Sequence, residues 1–495
     1  MTPEPFDLFI IGGGINGAGI ARDAAGRGLR VALCEKGDLG EGTSSRSGKL
    51  IHGGLRYLEY YEFRLVHEAL IEREVLLTIA PHIVWQMRFV LPHSAGQRPA
   101  WLMRIGLFLY DHLSSRGKLP GTRRIDLQRT PEGEPLRADL RTAFEYSDCW
   151  VDDARLVVLN ALDANRRGAE VLVRREAVHA RRDDGFWSVT IRGPDGGESD
   201  LRAKVLVNAA GPWVENVIHG VIGSNASPRV RLVKGSHLIV PKFWQGEQAY
   251  LLQNDDKRVI FVNPYEGDLC LIGTTDIPYE DVPDSVAIDG NERDYLLRAV
   301  NRYMRRQLEP KDVMHAYSGV RPLYDDKSRN PSAVTRDYVF DVDGTPPVLS
   351  IFGGKITTYR KLAEHALQKL APRFGEFRGE WTATSPLPGG NMPDADFDAY
   401  LTKLRARYPW LSPDLAHHYA RLYGTRTEEM LDGVASVGGL GRHFGGNLYE
   451  CEADFLIRTE WARDAEDVLE RRTKHYLHMT LAQCDAFATW MARAA

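Results

Sequence analysis

The sequence predicts an α/β fold, and three features of the chain support this prediction. A short apolar run, Phe6–Ile11, is followed by closely spaced glycines, a helical pattern and a second apolar run that ends at Glu35. The middle of the chain contains several short runs of alternating or β-branched residues, which are typical of strands. Beyond about residue 400 the pattern is helical throughout. We therefore expect a strand–helix–strand unit, a further mixed sheet and a helical C-terminal domain.

Length and composition are those of an ordinary globular protein of two or three domains. Of the 495 residues, 43% are hydrophobic and 26% are charged. The net charge of −4 gives no electrostatic reason to expect a nucleic-acid partner. The five cysteines are far apart and form no C-x-x-C pair, which argues against a disulfide framework or a metal site and for reduced thiols in the cytosol.

The N-terminus and the lengths of the hydrophobic runs indicate where in the cell the protein is expected. The first predicted strand begins at Phe6, which leaves no room for a signal peptide. No apolar run approaches the roughly 18 residues of a membrane-spanning helix. We expect a cytosolic chain whose contact with a membrane, if it has one, is peripheral.

Residues 6–35 have the order of a dinucleotide-binding unit. Gly12, Gly14 and Gly17 follow the first strand with the spacing G-x-G-x-x-G. In this motif the first glycine permits a tight turn, the second lets the backbone approach a pyrophosphate, and the third allows close helix–strand packing. Glu35, about 20 residues further on, is placed to bond ribose hydroxyls and to repel a 2′-phosphate. The motif predicts FAD or NAD rather than NADP, and does not choose between the first two.

The loop that follows Glu35 is too long for an ordinary turn. It is rich in Gly and Ser and carries hydroxyl, basic and aromatic side chains, namely Ser44, Ser45, Ser47, Lys49, His52, Arg56 and Tyr57. Loops beside nucleotide sites are more often functional than filler, so we expect this one to contact a ligand. The alternative is a solvated basic loop.

Two helical segments follow. Glu59–Ala80 has apolar residues at helical spacing and is predicted to be an amphipathic helix that ends at Pro81. In Arg98–Arg124, a dense apolar run is flanked by cations, which suits the surface of an anionic bilayer; the alternative is a buried core helix with a basic exit loop. The cations are Arg98, Arg104, Arg116, Lys118, Arg123 and Arg124.

The central region predicts two groups of strands. The strand Ala203–Val207 is followed by a turn with Gly211 and Trp213, which suits a sheet whose strand ends meet again at a dinucleotide. The backbone between Ala177 and Arg181, which includes Val178, could contact an adenine. Arg229–Val240 and Tyr250–Thr275 predict strands of a different sheet. The remaining predictions here are a helix at Asp153–Arg167, strands at Ala177–Arg181 and Trp187–Ile191, and a helix at Asn291–Leu308.

A second glycine turn lies near residue 353. Val348–Phe352 is an apolar strand, and Gly353, Gly354 and Lys355 follow it at the start of a helix, a place that suits an anionic or oxygen-rich ligand. Pro386–Pro393 is the clearest change of composition and predicts a linker to the helical C-terminal part.

Taken together, eight segments resemble the membrane-associated, FAD-dependent glycerol-3-phosphate dehydrogenases of aerobic bacteria, in that family's order and over almost the whole chain. The one departure noted is Gly48, where the family is expected to have a second serine. The segments are Ile10–Gly28, Thr43–Glu59, Glu145–Val157, Asn208–Trp213, Lys234–His237, Ile272–Asp276, Ser318–Leu323 and Phe352–Leu367.

The resemblance implies a Rossmann-like FAD-binding domain of the amino-acid oxidase or glutathione-reductase type with an inserted mixed-sheet substrate domain. The FAD-binding domain would be discontinuous, comprising residues 1–80, 145–225 and 332–385. Residues 81–144 and 226–331 would form the substrate domain, and residues 386–495 the helical C-terminal domain. Bound to FAD we expect Gly12, Gly13, Gly14, Asn16, Gly17, Glu35, Thr43, Ser44, Ser45, Lys49, Leu50, His52, Val178, Ala210, Gly211, Trp213, Gly353, Gly354, Lys355, Ile356 and Thr357.

The resemblance also implies an activity: oxidation of sn-glycerol 3-phosphate to dihydroxyacetone phosphate, with electrons passed from FAD to ubiquinone. The enzyme would be a peripheral homodimer on the cytoplasmic face of the inner membrane, in contact with surface lipids and with no nucleic acid or metal. Rival functions are a glycerol-3-phosphate oxidase that uses O₂ and an oxidase or dehydrogenase of amino or hydroxy acids. A flavin-containing binding or RNA-modifying protein is a further alternative, which the near-neutral charge and the lack of a basic stripe disfavour.

Residue roles follow from the chemistry of a dianionic substrate with a secondary alcohol. Arg56 and Arg321 are expected to bind the phosphate, because a guanidinium matches its oxygens, with Tyr57 and Lys355 on the glycerol and phosphate oxygens. Lys355 could instead stabilise a developing alkoxide or the charge of the reduced flavin, and Arg321 could merely pair with Asp325 or Asp326.

A base must accept the hydroxyl proton. His52 is the preferred candidate, since an imidazole has a pKa suited to proton transfer near pH 7. His237 is the rival base and a further substrate-binding candidate, and the alternative role for His52 is a hydrogen bond to the backbone.

Overall fold

The computed structural model describes residues 4–94, 97–114, 117–224, 230–256, 258–325 and 337–494. Among these residues the strands are β1 Phe6–Ile11, β2 Val31–Glu35, β3 Leu50–Ile51, β4 Val84–His93, β5 Arg123–Asp126, β6 Thr142–Val151, β7 Glu170–Val173, β8 Glu176–Asp183, β9 Phe186–Arg192, β10 Glu198–Asn208, β11 Val230–Pro241, β12 Ala249–Gln253, β13 Val259–Tyr265, β14 Leu269–Gly273, β15 Ile277–Pro278, β16 His315–Tyr324, β17 Val339–Asp343, β18 Val348–Phe352, β19 His443–Gly445 and β20 Leu448–Tyr449. The helices are α1 Ile15–Gly26, α2 Phe63–Ile79, α3 Ala100–His112, α4 Asp153–Arg166, α5 Val214–Asn216, α6 Gly290–Asn301, α7 Tyr359–Leu370, α8 Phe397–Arg407, α9 Pro413–Tyr423, α10 Thr427–Met430, α11 Glu450–Thr459 and α12 Leu481–Ala494.

The first sheet carries the glycine turns. Its described strands have the order β17-β18-β10-β1-β2-β7, and the β8–β9 hairpin extends from β10. The β18, β10, β1, β2 and β7 strands are parallel, and the strands at its centre are almost continuously apolar because both faces are covered. Helices α1, α4 and α7 pack together on one face. The carboxyl ends of β1, β10 and β18 therefore lie side by side, which brings three sequence-distant turns to one edge.

The second sheet is mixed. Its described strands have the order β15-β11-β14-β13-β12-β4-β6-β3, with β16 paired to β11 and β5 to β6. Along β13 the side chains alternate, so that Ile260 and Val262 pack towards α6 while Phe261 lies on the opposite face. That opposite face meets α2, α3 and the loop from the first sheet, and it forms one wall of the main cavity.

The C-terminal helices have their own apolar core but are joined to the first sheet by buried ion pairs. The carboxylate of Asp38, in the loop after β2, accepts hydrogen bonds from Arg471 Nε at 2.6 Å and from Arg472 Nη2 at 2.8 Å. In a second cluster the Glu460 carboxylate pairs with Arg155 of α4 and with Arg426. All six side chains are buried. The C-terminal unit therefore holds the loop that follows Glu35, the last residue of β2.

The predicted fold class is confirmed, whereas several boundaries differ. Residues 145–151 belong to β6 and pair with β4 in the second sheet, so the boundary at residue 145 is too early; we propose that the cofactor unit resumes near Asp152. The helix predicted from Glu59 begins at Phe63, after a 3₁₀ turn at Leu55–Tyr60. Residues 332–336, the expected start of the third cofactor segment, lie outside the described residues.

The predicted linker at Pro386–Pro393 does connect the two parts, but its centre is buried rather than solvated. Leu387 N donates to Ile79 O at 2.8 Å, and Thr425 N donates to Gly389 O at 3.0 Å. Its glycines allow this close packing, since a Cβ on Gly389 would lie 2.2 Å from the Tyr423 carbonyl oxygen.

Replacing Glu460 by Gln tests the ionic attachment of the C-terminal unit. Although burial raises the pKa of Glu460, Arg155 and Arg426 outweigh it and lower the value from 4.5 to about 2. The variant leaves two buried guanidiniums without their counter-charge, so we expect a loss of about 3–5 kcal/mol in the free energy of unfolding at pH 7, measured by urea denaturation.

Because the folded-state pKa is the lower one, the contribution of Glu460 is complete above pH 4.5 and is lost as the pH falls towards 2. The stability difference between the variant and the wild type should therefore shrink over that range. Glu428→Gln, which removes the exposed partner of Arg407, is the control and should cost less than about 1 kcal/mol. Equal losses in the two variants would contradict the buried-cluster account.

Candidate active site

The first glycine turn has no room for side chains. Gly12 has φ +110°, and a Cβ there would lie 2.6 Å from Ala209 O; a Cβ on Gly17 would lie 1.9 Å from Gly12 O. Gly14 is the N-cap of α1 and provides no side-chain cap. The Ile15 N–H donates to Ser44 Oγ at 3.0 Å, and the N–H groups of this first turn receive no cap from the Gly14 side. A helix N-terminus that follows a glycine turn is the arrangement that binds a pyrophosphate.

Glu35 closes the turn from the second strand. Its Oε2 accepts the Gly13 N–H at 2.7 Å and its Oε1 accepts the Gly37 N–H at 2.9 Å. Burial raises the pKa of this carboxyl, while the two N–H groups act in the opposite direction. The residue is thus held at the end of β2, where a carboxylate bonds the ribose of an adenosine.

Asn16 ties this turn to the second one. Its Nδ2 donates to Gly353 O at 3.3 Å, and its buried Oδ1 has no hydrogen-bond partner among the described residues. Gly353 and Gly354 have φ +78° and +100°. These residues fit FAD, because two glycine turns, a helix N-terminus that begins at a glycine and a buried acceptor oxygen occur together at this edge.

A cavity of about 650 Å³ lies between this region and the second sheet. Its walls are the loop after β2, the inner face of the second sheet, α3 and the turn after β18. The structure brings together twelve of the 25 residues predicted to bind FAD or the substrate. Those that line the cavity are Thr43, Ser44, Leu50, His52, Arg56, Tyr57, His237, Arg321, Gly354, Lys355, Ile356 and Thr357.

Some predicted cofactor residues lie elsewhere. Lys49 is buried in an ion pair with Asp153 at 2.8 Å and, with Ser45, lines a separate cavity of about 30 Å³. Trp213 donates from Nε1 to Asp284 at 2.9 Å, beside the turn after β10 that also holds Ala210 and Gly211. Val178 lies in β8, next to an irregularity in the pairing with β9. None of these side chains lines the main cavity.

The cations of the cavity are fixed by neighbours. Arg321 lies 2.9 Å from Asp276 Oδ1 through Nη1 and 3.0 Å from Thr274 Oγ1 through Nη2. Lys355 Nζ lies 3.9 Å from the centroid of the Tyr57 ring. Arg321 thus forms an ion pair with Asp276, and Asp326 lies outside the described residues.

The two candidate bases differ in environment. His237 is buried, its ring stacks on Tyr317 at 4.9 Å, and burial together with Arg321 and Lys49 lowers its pKa well below the ordinary value. His52 is only partly buried and lies edge-on to Phe261, with ring centroids 6.0 Å apart. A weakly basic, deeply buried His237 favours His52 for proton transfer.

Two supporting groups were missed by the sequence reasoning. The Tyr110 hydroxyl of α3 accepts a hydrogen bond from the Gly53 N–H at 2.8 Å and donates one to Asp148. Arg73 also donates to Asp148, at 2.9 Å, and burial raises the pKa of this carboxyl to about 6. This buried chain fixes the backbone that follows His52.

Glu292 is the second supporting group. Its carboxylate accepts hydrogen bonds from Ser236 and Thr275 at 2.8 and 2.7 Å and pairs with Lys234 at 2.7 Å. It thereby supports the turn that holds Arg321. The sequence signal for these groups is that their partners Asp148, Lys234, Ser236 and Thr275 fall inside the segments that resemble the family.

The outer face of α3 is apolar and exposed. Trp101 is 65% exposed and Phe108 59%, and Ile105 lies beside them. Tyr61, at the start of α2, is also exposed, and several residues of this surface line the mouth of the main cavity. The core-helix alternative for this segment is wrong, since only Leu107 and Tyr110 of α3 are buried. Arg116 lies outside the described residues. Among the described helices, none is both long and apolar enough to span a membrane.

The C-terminal unit contains one cluster of potential metal ligands, His418, Glu452 and His475, whose ligand atoms lie within 4.8 Å of one another. Glu452 already accepts hydrogen bonds from Tyr423 at 2.7 Å and from His418 at 2.8 Å in this arrangement. A hydrogen-bonded buried carboxylate accounts for the geometry.

Comparisons with known proteins identify the family of the chain. Residues 7–360 match the family model described as FAD dependent oxidoreductase, and residues 381–494 match the C-terminal domain of alpha-glycerophosphate oxidase. The chain therefore belongs to the FAD-dependent oxidoreductases, and its cofactor is FAD.

Proteins similar in sequence and structure place the chain in one group within this family. The chain is 61% identical to D-erythritol 1-phosphate dehydrogenase of Brucella abortus, over 99% of both chains. It is 53% identical to glycerol-3-phosphate dehydrogenase of Pseudomonas aeruginosa, over 97% of this chain and 94% of the relative, and 50% identical to aerobic glycerol-3-phosphate dehydrogenase of Escherichia coli, over 99% and 97%. The structure of glycerol-3-phosphate dehydrogenase from Bacillus halodurans complexed with FAD aligns with a TM-score of 0.76 at 27% identity, over 100% of this chain and 91% of that one. Within its family the chain belongs to the group of aerobic glycerol-3-phosphate dehydrogenases.

Gly17→Ala tests the first turn. Its added methyl group would meet the Gly12 carbonyl oxygen at 1.9 Å, so we expect α1 to be displaced and the purified protein to contain little FAD, measured by the ratio of flavin to protein absorbance. Gly375→Ala, where a Cβ meets nothing within 4 Å, is the control and should retain FAD. Full flavin content in Gly17→Ala would show that the turn does not hold the cofactor in this way.

Proposed function

We propose that this enzyme oxidises sn-glycerol 3-phosphate to dihydroxyacetone phosphate. The observation that carries the proposal is the convergence of Arg56, Arg321 and Lys355 with His52 on one cavity beside the second glycine turn. Several cations in one pocket suit a dianionic phosphate, and a histidine among them suits removal of a hydroxyl proton. The names of the Pseudomonas aeruginosa and Escherichia coli relatives support the same substrate.

Phosphate binding falls to the guanidiniums. Arg321 is held from one side by Asp276 and Thr274, which fixes the plane of its guanidinium in the cavity wall. A fixed fork pays less conformational entropy when it binds two phosphate oxygens than a mobile one. Arg56 is on the loop side of the cavity and Lys355 on the turn after β18, so the dianion would meet positive charge from three elements.

The proton of the secondary alcohol goes to a ring nitrogen of His52. The bond from the alcohol oxygen to hydrogen breaks as the carbon–oxygen double bond forms, and the hydrogen on that carbon leaves with its electron pair. FAD supplies the acceptor for this hydride when it is bound. Lys355, on the turn that cradles the cofactor, would stabilise negative charge that develops on the substrate oxygen.

D-erythritol 1-phosphate is the second candidate substrate. The Brucella abortus relative that bears this name is 61% identical over 99% of both chains, a higher identity than that of the two glycerol-3-phosphate dehydrogenases described above. This compound also carries a secondary alcohol beside a phosphorylated carbon, and it has one additional hydroxylated carbon at the distal end. The same cations and base would act on both molecules.

Anaerobic titration of the FAD-loaded enzyme with each phosphate tests the proposal. Loss of the visible flavin absorbance with sn-glycerol 3-phosphate supports it, and bleaching by D-erythritol 1-phosphate alone supports the second candidate. If neither phosphate bleaches the flavin while an amino or hydroxy acid does, the proposed function is wrong.

A quinone in the membrane is the proposed electron acceptor, and the proposed location is the cytoplasmic face of the inner membrane. The mouth of the cavity is bordered by the exposed apolar face of α3, and Arg98 and Arg104 are exposed on the same segment. Such a surface suits adsorption to anionic lipid, from which a lipid-soluble acceptor could reach the cavity. Faster reoxidation of the reduced flavin by a short-chain ubiquinone than by O₂ would separate this proposal from the oxidase alternative.

We further propose that the enzyme is a homodimer, which light scattering can test.

His52→Ala tests the base. If His52 takes the proton, flavin reduction by the substrate should slow by about 100-fold or more in stopped-flow measurements at pH 7. His237→Ala is the matched comparison and should have a smaller effect, because the lowered pKa of His237 makes it a poor base. A loss below threefold in His52→Ala would assign the step to another group.

Arg321→Ala tests phosphate recognition. Removing a charge-assisted pair should lower kcat/KM for the phosphorylated substrate by about 10- to 100-fold, mainly through KM. The same variant should change the slow oxidation of free glycerol far less. Equal losses with phosphorylated and free polyol would exclude a phosphate role for Arg321.

The double variant Trp101→Glu/Phe108→Glu tests the lipid surface. Two carboxylates on the exposed face of α3 should greatly weaken sedimentation with vesicles of anionic phospholipid, while flavin reduction by the substrate in solution continues. Val437→Glu, an exposed apolar position in the C-terminal unit, is the control and should leave vesicle binding intact. Unchanged vesicle binding by the double variant would contradict this docking surface.

A further inference from the structure

Asn263 is a buried polar residue of the cavity that neither the proposed mechanism nor the sequence motifs use. It lies in β13 and is 1% exposed, and its Oδ1 receives no hydrogen bond from the residues that the structure describes. Buried amide groups in folded proteins nearly always have partners, because an unpaired one forfeits its hydration without compensation. The position therefore calls for a partner from outside the chain.

The alternation of β13 directs this side chain into the cavity. Val259, Phe261 and Asn263 all line it, whereas Ile260 and Val262 are packed in the core beneath α6. The neighbours on the cavity side are apolar: Leu271 is the residue paired with Asn263 across the strands, and Leu251 pairs with Phe261. Asn263 is thus an isolated polar group in an otherwise apolar part of the wall.

Asn263 lies away from Arg321, one of the cations proposed to bind the phosphate. The Arg321 guanidinium contacts Thr274, the residue after β14, while Asn263 is paired with Leu271 of β14. Three residues of strand and one strand spacing separate the two points, or roughly 10 Å. A substrate whose phosphate is on Arg321 would therefore turn its opposite end towards Asn263. His52 lies between, since its ring contacts Phe261 on the same face of β13.

We propose that Asn263 is a specificity-determining residue that binds a hydroxyl group at the end of the substrate distant from the phosphate. A four-carbon polyol phosphate has a hydroxylated carbon there that glycerol 3-phosphate lacks. The carboxamide can accept a hydrogen bond from such a hydroxyl through Oδ1, which satisfies the buried oxygen. This inference rests on the proposed function, and it deepens that function by assigning the chain a preference for four-carbon over three-carbon polyol phosphates.

The test is the selectivity ratio, kcat/KM for D-erythritol 1-phosphate divided by kcat/KM for sn-glycerol 3-phosphate. Asn263→Leu has nearly the same volume and cannot form the hydrogen bond, so the ratio should fall by about 10-fold or more. Asn263→Ser keeps a shorter polar group, so its selectivity ratio should lie between those of the leucine variant and the wild type. Asn165→Leu, in α4 and outside the cavity lining, is the control and should keep the wild-type ratio. Binding of the two ketone products, followed by perturbation of the flavin absorbance, gives a ratio of affinities without turnover, and this ratio should change in the same direction.

The outcomes separate this inference from the proposed function. If the wild-type enzyme oxidises neither phosphate, the proposed function fails. If it oxidises both and the ratio in Asn263→Leu stays within twofold of the wild type, the assignment of Asn263 is overturned. An equal loss with both substrates, or an altered flavin spectrum in the absence of substrate, also overturns it, because Asn263 would then act on a shared group or on the cofactor. If the leucine variant retains no FAD, the ratio in Asn263→Ser decides.

Discussion

The arrangement of the whole site depends on one steric constraint, the contact between Gly17 and the Gly12 carbonyl. A methyl group at residue 17 would lie 1.9 Å from that oxygen, so α1 can approach β1 only because a side chain is absent. The close approach sets the position of the helix N-terminus above the edge where β1, β10 and β18 end. The cofactor, the second glycine turn and the loop that carries His52 are then placed relative to this one contact.

The other elements hold this edge in place from two directions. Asp38, three residues beyond Glu35, is bound by Arg471 and Arg472 of the C-terminal unit. On the opposite side, Tyr110 and Asp148 fix the backbone after His52. Buried charge pairs cost more to break than they contribute to stability over an apolar core, so their value here is better explained by the geometry they impose than by the energy they add.

Much of this could be predicted from the sequence, because the informative contacts are local. The G-x-G-x-x-G turn, Glu35 and the Gly353–Gly354 turn each follow a strand within a few residues, and the structure places them as expected. The resemblance to a family brought His52, Arg321 and Lys355 together. What could not be predicted is non-local: the Lys49 side chain pairs with Asp153 rather than lining the cavity, and β6 pairs with β4 in the second sheet. Tyr110, Glu292 and Asn263 carry no motif, and their roles depend on which strands and helices meet.

The central claim is that a polyol phosphate loses the hydrogen of its secondary alcohol carbon directly to the cofactor, with the proton going to a histidine. The most direct measurement is anaerobic stopped-flow reduction of the flavin by sn-glycerol 3-phosphate or D-erythritol 1-phosphate deuterated at that carbon. The account predicts that flavin bleaching in a single turnover is severalfold slower with the deuterated compound. Bleaching at the same rate with both isotopologues, or no bleaching by either phosphate, would contradict it.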